Sequence, residues 1–274
     1  MKIFDAHNDF ITQISSDKKI NNYINNKIIN NSVCCSVWTT NFSEIAAINY
    51  IEKLNELKKQ HKNIFCLVED CHFIDSTNID IVLSQTIDIA GLVWNNDNNL
   101  GGGAYSSSRL TEWGKIVLNK FEENGTIIDV AHTNEFTFTD VAKTATMPLI
   151  CSHSAMYGVL NHPRNLKDYQ IKIICDSGGL VGLTLVNQFL NGTNFAQISD
   201  LVEHIIYFAI KFGTKNLCIG TDFYGTKHLP WGLKNYNDFK RLEKHLLLKG
   251  FLQTEIEDIF YNNLNIFMQT HCAN

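Results

Sequence analysis

Eight short apolar runs recur along the 274 residues, and most are separated by stretches with helical spacing. This alternation is the strongest constraint on the fold. A period-2 run packs as a strand and a period-3.6 run as a helix, so repeated strand–helix units commit the chain to a mainly parallel sheet covered by helices. The expected strands are Lys2–Ala6, Ser32–Trp38, Ile64–Val68, Ile87–Trp94, Thr126–Ala131, Leu149–Ser152, Leu180–Val186 and Leu217–Gly220. Helices are expected after Ser43, a ready N-cap, with Ile45, Ala46, Ile48, Ile51, Leu54 and Leu57 at helical spacing. Others are expected at Ile79–Ser84, Leu110–Glu123, Glu135–Thr144, Leu166–Cys175, Ser199–Phe212, Tyr236–Lys249 and Thr254–Gln269. Eight units in a length close to the ~250 residues of a (β/α)8 barrel predict an α/β fold: a TIM barrel, one domain spanning residues 1–274. The rival is a doubly wound open sheet. No GxGxxG follows the first run, and Gly101-Gly102-Gly103 lacks the lysine and Ser/Thr of a P-loop.

Composition narrows the function classes. The chain is 45% hydrophobic with three prolines, enough for a full core and without a linker. Its net charge is −5 and no basic patch with interleaved aromatics stands out, which argues against nucleic acid. The longest apolar runs have strand length, short of the ~20 residues a membrane span needs. The start, MKIFDAHND, shows no secretory pattern. Cys34, Cys35, Cys66, Cys151, Cys175 and Cys218 lie in apolar runs, and no CxxC pair is present, so reduced thiols and a cytoplasmic setting are expected, not a cysteine zinc site.

Chemistry concentrates at strand ends. Between Thr126 and Met156, two strands stop at His132 and His153 with one helix between them. Consecutive parallel strands lie ~4.8 Å apart with C-terminal ends at one edge, so the two imidazoles are brought together. His7 and Asp9 follow the first run, Glu69 the third and Asp222 the eighth. All six project from the barrel end where active sites are built. Alternation puts His7 and Asp9 on one face. A lone strand-end histidine is ordinarily just a satisfied polar group. Six such groups at one rim would be costly in desolvation and repulsion unless cations compensate them. Imidazole with carboxylate suits zinc, and tolerably manganese or iron. Two metals sharing one carboxylate would use the set and leave room for a water. The polar loop NNDNNLGGGAYSSS after the fourth run is too long for a plain connector and is expected to be functional.

Taken in order, DAHNDF, VED, LTEWGK, NGTIIDVAHTNEFTF, PLICSHSAMYGVLNHPRN, GGLVGL and IGTDFYG make the chain resemble the membrane (renal) dipeptidase family, the M19 metallopeptidases of the amidohydrolase-like barrels. The resemblance implies a zinc-dependent dipeptidase that opens the amide bond of small dipeptides with a hydroxide bridging two zinc ions, Mn2+ or Fe2+ being alternatives. It implies that Glu69 bridges the metals, that His7 and Asp9 hold one and that His132 and His153 hold the other. Asp222 matches the acid that moves protons, and Arg164, in HPRN, the arginine that grips the substrate carboxylate. A homodimer is compatible with the resemblance. The sequence departs from the family at Trp94, which stands where a carbonyl-polarising histidine is common. Trp can donate one N–H but cannot become cationic; Asn95, Asn96 or Asn98 could supply a neutral donor. The alternative expectation is an amidohydrolase-type enzyme for another small amide, lactam or ester, or a metal-binding barrel whose turnover is lost through Trp94.

Overall fold

The computed structural model describes residues 1–272. Its strands are β1 (Phe4–Asn8), β2 (Ser32–Trp38), β3 (Ile64–Glu69), β4 (Ile89–Gly91), β5 (Ile127–Asp129), β6 (Ile150–Ser154), β7 (Leu180–Leu183) and β8 (Leu217–Ile219). They close into a barrel in sequence order. Neighbours pair in parallel, and Asp5 of β1 against Ile219 of β8 shuts the ring. The (β/α)8 barrel expected from the alternation is the fold.

Each strand sends side chains both inward and outward, so both faces are apolar, as parallel sheets require. Inside, Phe4, Ala6, Cys34, Leu67, Ile89, Ile127, Ile150, Leu180 and Cys218 form one packed layer drawn from all eight strands. Leu264, Phe267 and Met268 of the helix Asn263–His271 join that cluster. Outside, Val33, Cys35 and Val37 of β2 belong to the shell that also holds Ala47, Ile51, Leu54 and Leu57 of the helix Glu44–Gln60. Ile51 is fully buried there, and burying such a side chain stabilises by about 1.5–3 kcal/mol. Ser43 caps this helix by accepting the Ala46 N–H at 3.3 Å. Asn134 likewise accepts the Phe136 and Thr137 N–H groups ahead of the helix Glu135–Thr144.

Several expected bounds are corrected. β4 is three residues, not Ile87–Trp94. Asp88 precedes it, its carboxylate accepting the Cys66 N–H and pairing with Lys58. After Gly91 the chain turns onto the rim, where the Leu92 carbonyl accepts from the Asn98 side chain. The final helix is three pieces, Gln253–Glu257, a π turn at Asp258–Asn262 and Asn263–His271, rather than one. Between β1 and β2, where no helix was expected, lie helices Phe10–Gln13 and Asp17–Tyr23 and a π turn at Ile24–Ile28. All eight cysteines are free thiols, six of them buried. No helix among the described residues is long and apolar enough to cross a membrane.

Candidate metal centre

The side chains that meet at the C-terminal mouth do so because two strands are irregular. In β1 the register slips between Asp5 and Asn8, and in β6 between Cys151 and Ser154. Each slip sets two residues against one on the neighbour, a β-bulge, which re-aims a side chain. Phe4 and Ala6 point into the barrel; strict alternation would send His7 outward, and the bulge returns it to the mouth beside Asp9. In β6 the bulge lets Ser152 and His153 both face inward. It also pushes the Ser152 carbonyl into the barrel, against Gly182 of β7 and Gly220 after β8. A Cβ on either glycine would overlap that oxygen, so this crowding explains Gly182 in GGLVGL and Gly220 in IGTDF.

Backbone strain marks the same rim. Among the described residues, the non-glycine residues with positive φ are Asp70, His132, Asp222 and Tyr224, each shortly beyond a strand. Such conformations persist where surrounding structure over-determines them, and they cluster at functional sites. Asp222 is anchored from behind by Asp5, whose carboxylate accepts the Thr221 N–H at 2.7 Å, the Thr221 hydroxyl at 2.6 Å and the Tyr236 hydroxyl at 2.7 Å.

All six expected ligands converge. Three groups each have ligand atoms within 4.8 Å of one another: His7–Asp9–Glu69, Glu69–His132–His153 and His7–His153–Asp222. Glu69 is central. Its Oε2 lies 3.5 Å from His7 Nε2 and its Oε1 lies 2.8 Å from His132 Nε2. His132 Nε2 is also 2.9 Å from His153 Nε2. The Asn95 side-chain oxygen Oδ1 accepts from His132 Nδ1 at 2.8 Å, so that nitrogen carries the proton and Nε2 a lone pair. That lone pair then faces a carboxylate oxygen and a second imidazole, and only a cation can sit among such donors. His7 Nε2 and both Asp9 oxygens are buried without a hydrogen-bond partner, so they too lack a partner that a cation would supply. The donor set therefore fits metal.

Protonation preferences agree for His132 and His153. Burial, then the Arg164 charge, push His132 down to about 4, and burial with His7 and Arg164 pushes His153 down as well, leaving both neutral as ligands must be. Burial alone would lower His7, but Asp9 and Glu69 outweigh it and raise it. Burial opposes ionisation of Glu69, yet His7 and His132 hold it well below its ordinary value. Asp222 goes the other way, raised by burial and by the neighbouring Asp9 carboxylate.

A cavity of about 440 Å³ opens over these groups. Trp94 and Asn95 line it, together with Trp38, Tyr105, Gln188 and Lys227, which the sequence reading had not singled out. Trp94 lies against the His132 ring, centroids 5.7 Å apart, and against the edge of Trp38 at 5.5 Å. Tyr105 arrives on the glycine-rich loop, its N–H donating to the Asn95 carbonyl at 3.0 Å. Asn98 is not a free donor, because its amide nitrogen serves Asp70 and Leu92. Arg164 is buried beside the cavity instead of on its wall. It donates to His153 Nε2 at 2.9 Å and lies over the Phe189 ring, and its Nε has no partner. Gly225 passes so close to Asp222 and Asp9 that a side chain there would overlap both carboxylates.

Comparison with known proteins agrees with this architecture. An amidohydrolase from Pseudomonas aeruginosa superposes with a TM-score of 0.83 at 20% identity, covering 97% of this chain and 95% of that one. A metallo peptidase from Rhodobacter sphaeroides, solved with a phosphinate mimic of the dipeptide L-Ala-D-Ala, gives 0.84 at 18% identity over 99% of each chain. At such identities these likenesses speak for the fold. In sequence, an uncharacterized protein in the pqqA 5′ region of Klebsiella pneumoniae is 32% identical over 185 residues, 63% of this chain and 68% of that protein. The model of the membrane dipeptidase family (peptidase family M19) matches residues 35–272. His7 and Asp9 precede that match, so their place rests on the geometry alone. The chain belongs to the membrane dipeptidase family, and it is a metallo-dipeptidase-like hydrolase.

Proposed function

We propose that the chain is a zinc-dependent dipeptidase acting on small dipeptides. The observation that carries this is the unprotonated His132 Nε2, held 2.8 Å from Glu69 and 2.9 Å from His153, a pair of contacts that needs a cation. His7 and Asp9 would hold one ion, His132 and His153 a second, and Glu69 would serve both. Mixed nitrogen and oxygen donors suit Zn2+, with Mn2+ or Fe2+ as substitutes. When bound, the ions supply a water of lowered pKa and an electrophile for the scissile carbonyl.

The protein's own groups do the rest. Asp222, which stands at the mouth beside His7 and His153, would accept the attacking water's proton and pass it to the leaving amine. Arg164 keeps an unpaired Nε beside His153, and its planar fork suits the free carboxylate of a dipeptide. Trp94 and Trp38 form an apolar wall that excludes water and positions the bond. Purified protein loaded with zinc is expected to hydrolyse members of a dipeptide panel, and His132→Ala to lose both a metal and nearly all activity. Full activity of that variant in metal-stripped buffer would refute the assignment.

One observation favours a second substrate class. Trp94 cannot polarise a carbonyl as a cation can, so another small amide, a lactam or an ester with an easier leaving group is the competing reading. Trp94→His separates the two. A large gain on dipeptides would point to a natural substrate that does not need a cationic donor there.

A further inference from the structure

Ser152 has no role in the mechanism above, yet it lies behind two of its histidines. Its hydroxyl is 3.1 Å from His7 Nδ1 and 2.9 Å from His153 Nδ1. The two rings lie with centroids 3.9 Å apart. These are the rear nitrogens. The front nitrogen of His7 faces Asp9 and Glu69, and that of His153 faces His132 and Arg164. Ser152 is fully buried, so no water competes for its oxygen.

We propose that Ser152 is a positioning residue that fixes the tautomer of both histidines through one oxygen atom, and so couples the two halves of the ligand set. The argument is a proton count. A hydroxyl has one donor and two acceptor lone pairs. For His7 and His153 each to present a lone pair at Nε2, each must carry its proton at Nδ1. Both Nδ1–H groups then donate to Ser152 Oγ, filling its two acceptor positions. Were the hydroxyl to donate to one imidazole instead, that imidazole would be protonated at Nε2 and could not ligate. The buried Asp129 carboxylate accepts the Ser152 N–H at 2.9 Å and so holds this residue in place between the two rings. His132 stands outside this arrangement, because Asn95 fixes it separately. Ligand histidines are ordinarily oriented one by one by outer partners. Here one partner serves a histidine from each half, and the bulge in β6 makes that possible by turning Ser152 and His153 inward together.

The inference rests on the proposed metal reading, and the experiment separates the two. Zinc is titrated into the metal-stripped full chain against a chelating indicator, for the native protein and for Ser152→Ala. The native protein is expected to bind two ions, and the variant to bind both more weakly, roughly 10–100-fold each, the range for losing an outer partner. Long-range 1H–15N spectra of histidine-labelled, zinc-loaded native protein are expected to show Nδ1–H at His7 and His153. In Ser152→Ala those two signals shift while that of His132 holds; Ser152→Thr, which keeps the hydroxyl, restores both affinities. Weakening of one binding step only, or of neither, overturns the coupling. So does an Nε2–H signal at either histidine in the native protein, a readout that stands even if the variants fail to fold. If the native protein binds no zinc, the metal reading itself fails.

Discussion

Substituting Gly220 by alanine tests whether the β6 bulge holds the ligand set in place. A Cβ at Gly220 would overlap the Ser152 carbonyl oxygen, would lie 2.9 Å from the Ser152 carbonyl carbon and would reach 3.3 Å from His153 Cα. Ordinary contact begins near 3.4 Å, so the carbon separation alone must open by at least 0.5 Å (3.4 − 2.9), and the oxygen demands more. The yielding segment carries His153. Site geometry tolerates errors of only about 0.5 Å, and overpacking of this kind costs about 1–3 kcal/mol. For a chain of this size that lowers Tm by roughly 2–12 °C, at about 2–4 °C per kcal/mol. Scanning calorimetry with zinc titration against an indicator reads both effects, and zinc affinity at the step involving His153 should fall about tenfold or more, as expected for a displaced ligand. Gly178→Ala is the control. Gly178 is exposed, has φ +81 and would place its Cβ in open space. That variant should lose about 1 kcal/mol from backbone strain and leave zinc binding untouched. An unchanged Tm and unchanged affinities in Gly220→Ala, or equal loss of zinc affinity in Gly178→Ala, would refute the reasoning.

Asn95→Ala removes the acceptor of His132 Nδ1; it should weaken one zinc step by roughly 10–100-fold and spare the other, whereas equal weakening of both would contradict the separate anchoring of His132. Stability should fall on acidification partly through His204, which is buried with Nδ1 accepting the Met156 N–H and Nε2 donating to the Leu190 carbonyl. Burial lowers its folded pKa below the unfolded value of 6.5, so the unfolded chain takes up the proton first, and stability held above that value is lost as pH drops through it. His204→Gln should therefore flatten the fall in Tm between about pH 7 and 5, and an unaltered slope would remove His204 from the account.

The fold was legible wherever both faces of an element are buried. SVCCSVW reads as a strand and is one to the residue, because inward Cys34 and outward Val33, Cys35 and Val37 all demand apolar side chains. The segment after β1 was missed because its surface is polar and rich in Asn and Lys. Its only helical signal is Ile20, Ile24 and Ile28, four residues apart and all buried. The strand ends of β4 and β5 were read too long for another reason. Val93 and Val130 are as apolar as strand residues and just as buried, but both lie beyond the strands, although the Val130 N–H still donates to the Ile150 carbonyl at 2.8 Å. Hydropathy reports burial, and it cannot say whether the backbone is still paired with its neighbour.

For the site, residue type and strand position were enough to name the groups that converge, but not to aim them. Period-2 alternation correctly put His7 and Asp9 together, yet counted from Phe4 and Ala6 it sends His7 out of the barrel. The bulges reverse that, and a bulge leaves little mark in one sequence beyond the glycines that make room for it. Gly182 and Gly220 are that mark, two strands that give up side chains to a carbonyl bulging from a third. The same limit applies to Arg164 and Asn95. Their chemistry suggested substrate contacts, whereas each is hydrogen-bonded to a ligand histidine, Asn95 to the rear of His132 and Arg164 to the front of His153. The Arg164 contact has a consequence. One lone pair on His153 Nε2 cannot serve both a guanidinium and a metal, so loading the site obliges Arg164 to release it. A buried guanidinium that has lost its acceptor, with Nε already unpaired, must find another one. On the proposed function a substrate carboxylate would meet that need, which would tie Arg164 to substrate through metal binding and the geometry of one nitrogen.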